Sequence, residues 1–210
     1  MTIHKIEKFF NTAGPGKEGL NYMLDPLRRI NYDEIATLID QQRYFVLHAP
    51  RQTGKTTSLL AMADKINGEG RYYCVYVNVE TAQTARNDVA RGMNTILSRL
   101  ENAIKRFLDR SISDVKSIRE KNSGDSLLID ALERFCGDLD KSLVLFIDEI
   151  DALVGDTLVS VLRQLRDAYV VRPRFAPISV ILCGVRDIRD YRIHRSDGEI
   201  ITGGSCFNVT

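Results

Sequence analysis

Two kinds of apolar pattern alternate along the chain. Residues 43–49 (RYFVLHA), 72–79 (YYCVYVNV), 142–148 (SLVLFID) and 177–185 (PISVILCGV) are nearly unbroken apolar runs rich in β-branched and aromatic residues, the composition of buried strands. Between them the apolar positions recur every three or four residues. Residues 32–42 place Ile35, Leu38 and Ile39 on one helical face. A helix from about Lys55 turns Leu59, Leu60, Met62, Ala63 and Ile66 inward and stops at NGEG, where Gly68 can adopt the left-handed cap. A long helix is predicted over about 84–108, with Val89, Met93, Ile96, Leu97, Leu100, Ile104 and Phe107 on one stripe. Residues 126–136 and 156–170 return to helical spacing, whereas 110–124 are polar with mixed charge and read as a solvated helix or loop. Strands apolar on both faces belong to a parallel sheet covered by helices on each side. The pattern therefore predicts an α/β three-layer sandwich with a parallel sheet. Ligands of such sheets sit beyond the carboxyl ends of the strands, so the residues at those ends carry the candidate chemistry.

Composition narrows the classes without naming one. At 210 residues and 44% hydrophobic, the chain can bury one sizeable core, and one domain is the default. Lys and Arg number 29 against 28 Asp and Glu, a net charge of +1. No global excess steers the chain to nucleic acid or an anionic surface, although a local basic patch stays open. Cys74, Cys136, Cys183 and Cys206 are far apart with no C-x-x-C pair, which reads as buried free thiols in a reducing compartment. His4, His48 and His194 are too scattered for a zinc cluster. The N-terminus lacks the apolar core of a signal peptide, and no window approaches the roughly 18 apolar residues of a membrane span. A soluble, cytoplasmic protein without membrane partners is expected.

Two strand ends carry chemistry that burial alone does not explain. After the strand 43–49 comes Ala49-Pro50-Arg51-Gln52-Thr53-Gly54-Lys55-Thr56-Thr57, which fits the phosphate-binding loop G-x-x-x-x-G-K-[ST] except that Ala49 stands at the first glycine. Gly54 lets the backbone approach phosphate oxygens without a Cβ, and the amides of Thr53 to Thr57 face them from a helix N-terminus. Lys55 adds positive charge, and Thr56 offers a hydroxyl to a Mg²⁺ between β- and γ-phosphates. Ala49 requires only a negative φ there. The strand 142–148 then ends in Asp148 and Glu149. An acid beyond a buried strand is costly without a partner, and the shell of a Mg²⁺ supplies one. Glu149 is placed to polarise a water against the γ-phosphate. Asp151 reads as a loop or cap residue.

The stretches APRQTGKTTSLL, LVLFIDEID and SVILCGVRD together resemble the P-loop NTPases with an additional strand and a catalytic glutamate, the AAA+ and STAND ATPases. They look most like prokaryotic AAA-like ATP-binding proteins distantly related to origin-recognition ATPases. The resemblance spans about residues 9–210 and implies a P-loop NTPase fold with sheet order 5-1-4-3-2. It implies ATP and Mg²⁺ as ligands, with residues 49–57 as the phosphate loop, Thr56 and Asp148 on the metal, and Lys55 and Glu149 in catalysis. The end of the strand 177–185 takes the sensor 1 position, which here offers Asp187 beside Arg186. Asn78 falls where relatives hold a residue restraining the catalytic glutamate. Tyr22, Pro26, Leu27 and Arg28 match the segment that wraps the adenine, and Arg189, Arg192 and Arg195 lie where a trans-acting arginine finger would come. The expected organisation is an N-terminal segment and helix over 1–43 and an NTPase core over 44–210. The last strand is expected at SCFNVT, and the core is expected to be truncated before a C-terminal helical lid, which is expected to be absent.

The function these readings imply is ATP binding and Mg²⁺-dependent hydrolysis used as a conformational switch or motor, with a protein partner or self-association. A DNA-associated loader, a non-catalytic nucleotide-binding scaffold and a small-molecule kinase share parts of the pattern. The intact Lys55, Asp148 and Glu149 argue against the scaffold. No lid or acceptor pocket in the sequence supports the kinase.

Overall fold

The computed structural model describes residues 7–12, 14–122 and 124–185, together with the backbone of 193–194 and 200–201. The apolar runs become strands β1 (Tyr44–His48), β2 (Tyr73–Asn78), β3 (Leu143–Asp148) and β4 (Ser179–Gly184). They form one parallel sheet in the order β1-β4-β3-β2. This agrees with the 1-4-3-2 portion of the expected order. The strand expected at SCFNVT lies outside the described residues, and so do Arg186, Asp187, Arg189, Arg192 and Arg195. A small antiparallel pairing of Ile193–His194 with Ile200–Ile201, which the sequence pattern does not indicate, stands apart from this sheet.

The helices are α1 (Tyr32–Asp40), α2 (Lys55–Glu69), α3 (Val89–Leu108), α4 (Val115–Lys121), α5 (Leu127–Gly137) and α6 (Gly155–Ala168). The strands sort their side chains by the two-residue period. Val75, Val77, Leu143, Leu145, Ile147, Val180 and Leu182 pack on α3, α5 and α6 in one buried cluster. Cys74, Val144, Phe146, Ile181 and Cys183 pack on α1 and α2 in the other. The result is the three-layer sandwich that the apolar strands predicted. The same period places Tyr76, Asn78 and Asp148 in step with the α2 face.

Two predicted boundaries shift for local reasons. α2 runs past Gly68 and is capped by Gly70 at φ 72°, whose N–H donates to Ile66 O at 3.3 Å. Asn67 fixes this end by bonding both backbone groups of Cys74 on β2, at 2.8 and 2.9 Å. The long helix begins at Val89 rather than near 84, because residues Glu80–Ala85 form a 3-10 turn and Asp88 caps α3 by accepting from Arg91 N at 3.0 Å. Ala82 and Ala85 are buried in that turn, and their spacing mimics a helical stripe. The polar segment contains both a short helix, α4, and a buried anchor, Ile112.

Candidate nucleotide site

The loop 49–54 joins β1 to α2 in one tight turn. Gly54 sits at φ 82° as the N-cap of α2, and Gln52 also takes a left-handed φ of 60°. Ala49 is absent from the positive-φ positions, as its side chain requires. The turn is braced internally: Thr53 Oγ1 donates to Pro50 O at 2.8 Å, and Ala49 N donates to Gly184 O on β4 at 3.3 Å. Lys55 Nζ folds back onto Ala49 O and Pro50 O at 2.8 and 2.9 Å. Its charge is thus held over the loop by carbonyls rather than by an acid.

Thr56 and Asp148, which are 92 positions apart in sequence, meet directly, with Thr56 Oγ1 donating to Asp148 Oδ2 at 2.7 Å. Asp148 is 1% exposed. Its burial is tolerated because three donors converge on it: Thr56, the Tyr76 hydroxyl at 2.8 Å on the same Oδ2, and Glu149 N on Oδ1 at 3.0 Å. Burial and the Asp148 charge together push the Tyr76 phenol well above its ordinary range, so it remains a donor. Cys183 on β4 also lies against Asp148, and burial, followed by that charge, raises its thiol well above its usual range. Cys74 and Cys136 are buried free thiols as well.

Glu149 leaves β3 in the left-handed region at φ 59°, a conformation costing on the order of 1–3 kcal/mol in a residue with a side chain. Bonds at both ends of the residue hold it there, Glu149 N to Asp148 Oδ1 and Ala152 N to Glu149 O, each 3.0 Å. Burial first, then the negative charges of Asp148, Asp151 and Glu80, raise its carboxyl above the usual range, and Lys55 opposes the shift. A raised carboxyl beside a buried acid is the electrostatic setting of a candidate proton acceptor.

Asp151 has a larger structural part than a loop residue needs. Both its oxygens accept from Val185 N at 3.1 Å, and its carboxylate lies against Gly184, where a Cβ would collide with it. It ties the turn after β3 to the end of β4. Asn78 instead spends its Oδ1 on Glu80 N at 2.9 Å, opening the 3-10 turn. From β2, the Tyr76 hydroxyl is bonded to Asp148. A tyrosine inside an apolar strand reads as core, so its role had no signal in the sequence.

The N-terminal segment crosses the first turn of α2. Gly16 N donates to Thr57 Oγ1 and Ser58 Oγ donates to Pro26 O, both at 3.2 Å. Pro26 and Leu27 line a cavity of about 670 Å³ together with Met23, Thr57, Ala61 and Asp64. Tyr22 lies off this cavity, 57% exposed, with its ring 5.1 Å from that of Phe10. Arg28 points to solvent near Asp25, at 3.9 Å. Its neighbour Arg29 instead lies over Gly54, with Nη1 only 2.7 Å from where a Cβ would stand. Among the described residues no group of three or more His, Cys, Asp and Glu could hold a metal, and no helix is long and apolar enough to cross a membrane.

A sequence model of the AAA domain matches residues 38–191, a span that contains the phosphate loop, Asp148 and Glu149. The chain belongs to the AAA domain family. It is thereby a P-loop protein of the ATPase type, built for nucleotide binding. Comparison with curated proteins returns no match. Among solved structures it is similar to Cdc6p from Pyrobaculum aerophilum, at 20% identity and a TM-score of 0.45 over 76% of this chain and 39% of that one. It is also similar to a chain in the structure of Drosophila ORC bound to DNA, at 13% identity and a TM-score of 0.49, over 89% of this chain and 50% of that one. The chain thus spans half or less of the length of these two structures.

Proposed function

We propose that the protein binds ATP with Mg²⁺ and hydrolyses the γ-phosphate, using the cycle as a conformational switch. The observation that carries this reading is the 2.7 Å bond between Thr56 and Asp148. A hydroxyl from the phosphate-loop helix and a buried carboxylate from a neighbouring strand are brought together where no core packing needs either. Both are hard oxygen donors, which suit Mg²⁺. When bound, the metal supplies charge neutralisation and orientation of the phosphates. The remaining work belongs to this chain. The amides of Thr53 to Thr57 and the Lys55 ammonium hold phosphate oxygens, and Lys55 exchanges its present carbonyl partners for them. Glu149 accepts the proton of the attacking water. Pro26 and Leu27 offer the base an apolar wall beside α2. Its neighbour there, Asp64, has acceptor oxygens suited to the exocyclic amine of adenine.

Titration calorimetry with ATP and Mg²⁺, followed by phosphate release, tests the reading. Lys55→Ala is expected to weaken ATP binding by roughly 10- to 100-fold. Glu149→Gln is expected to keep affinity and lose about 10²- to 10⁴-fold in turnover. Wild-type affinity in a folded Lys55→Ala protein would overturn the site. Binding without any phosphate release, with or without DNA, would leave a nucleotide-binding scaffold.

A further inference from the structure

The cavities, arginine clusters and buried thiols leave one polar group whose position over the nucleotide site no motif accounts for. Arg29 ends the 3-10 turn Pro26–Arg29. In a 3-10 turn successive side chains are about 120° apart, so neighbouring arginines face different ways. Arg28 faces solvent, and Arg29 faces the phosphate loop. The turn that aims it is anchored at two points: Asp25 Oδ1 accepts from Leu27 N at 2.9 Å, and Pro26 O accepts from Ser58 of α2 at 3.2 Å. Its Nη1 lies over the one loop residue whose missing side chain leaves room for it, Gly54.

The charges around it need an anion. Among the described residues neither Arg29 nor Lys55 forms an ion pair, whereas Arg71, Arg110, Arg119 and Arg134 each find an acid. Lys55 is held by two carbonyls, and the α2 N-terminus adds its own positive field. Three positive elements converge on one loop, and among the described residues no acid pairs with Arg29 or Lys55, although Lys55 feels the Glu149 carboxylate at longer range. That arrangement is unfavourable in the empty protein and becomes favourable when phosphate oxygens enter.

We propose that Arg29 is a second phosphate-binding cation of the nucleotide site, delivered in cis by the N-terminal segment. The inference rests on the ATP-binding reading above. Arg29 has a rigid planar fork of donors that matches two phosphate oxygens in one plane, a fixed geometry that the ammonium of Lys55 lacks. Because the same short turn carries Pro26 and Leu27 at the cavity beside α2, one segment serves both ends of the nucleotide.

Calorimetry on the full chain decides it, with ATP, inorganic tripolyphosphate and adenosine as probes and Lys55→Ala as the reference. Arg29→Ala is expected to weaken both ATP and tripolyphosphate by about 10-fold or more, with adenosine affinity and the circular dichroism spectrum unchanged. Arg28→Ala should bind all three as wild type does, and Arg29→Lys should recover part of the loss. If Lys55→Ala loses ATP while Arg29→Ala matches Arg28→Ala, the proposal is wrong and the ATP site stands. If Arg29→Ala weakens adenosine as much as tripolyphosphate, Arg29 only supports the segment, and the proposal is again wrong. If the wild type binds neither ATP nor tripolyphosphate, both readings fail together.

Discussion

The hydroxyl of Tyr76 and the carboxylate of Asp148 are joined by a 2.8 Å hydrogen bond, and the accepting oxygen is the one that Thr56 also reaches. The strand register explains the pairing. β2 runs parallel to β3 with Asn78 opposite Asp148, so Tyr76, two residues earlier, shares its face and extends its ring toward the strand end. If Thr56 offers a lone pair to Mg²⁺ as proposed, Tyr76 would help hold Oδ2 in place beside it. Tyr76→Phe is therefore expected to raise the Mg²⁺ concentration needed for tight ATP binding several-fold. Metal-free ATP affinity should stay unchanged, and stability should fall by about 1–2 kcal/mol in urea. Calorimetry across a Mg²⁺ series checks this. An unchanged Mg²⁺ midpoint would remove Tyr76 from the metal site.

Glu149 gives a pH signature with opposite signs for stability and turnover. Burial, chiefly, raises its carboxyl, so ionisation is disfavoured in the folded protein. The stability this group contributes is fully present below the ordinary glutamate range and is lost as pH rises through the raised value. If Glu149 accepts the proton of the attacking water as proposed, turnover needs the carboxylate and rises over the same window. Phosphate release should show an acid limb above the usual value of about 4.3, and the residual activity of Glu149→Gln should lack it. Urea titration should find Glu149→Gln more stable than wild type at neutral pH, with the gap closing in acid. An acid limb that survives in Glu149→Gln belongs to another group.

Gln164 on α6 caps α5 from outside. Its Oε1 accepts from Leu128 N and Ile129 N at 2.8 and 3.1 Å, and its Nε2 donates to Gly124 O and Ser160 Oγ, each at 2.9 Å. The residue is 2% exposed, so truncation leaves several buried groups unpaired. Gln164→Ala is expected to cost about 2–4 kcal/mol in urea unfolding. A loss within about 0.5 kcal/mol would mean that water replaces the side chain.

The sheet was legible because parallel strands buried on both faces cannot hide their apolar runs, and the tight turn between β1 and α2 because its backbone admits few residues. Thr56, Lys55, Asp148 and Glu149 follow from local pattern alone, and the structure brings Thr56 and Asp148 into contact. What the sequence hid depends on geometry across the fold. Tyr76 and Gln164 acquire their partners only through strand register and helix packing. Arg29 rather than Arg28 faces the loop because a 3-10 turn, not an extended strap, carries them. The start of α3 was obscured because the buried Ala82 and Ala85 continue a helical rhythm through a 3-10 turn.

The central claim is that Thr56 and Asp148 act as one metal-holding unit beneath the phosphates of ATP. The most direct measurement is a double-mutant cycle, with ATP affinity determined calorimetrically with Mg²⁺ and with chelator for wild type, Thr56→Ala, Asp148→Asn and the double variant. Mg²⁺ should tighten ATP binding in wild type, either substitution should remove most of this gain, and the second should add little, a coupling of about 0.5–3 kcal/mol. Metal-free affinity should change little in any of them. Mg²⁺-independent binding in wild type, or strictly additive losses in the double variant, would contradict it.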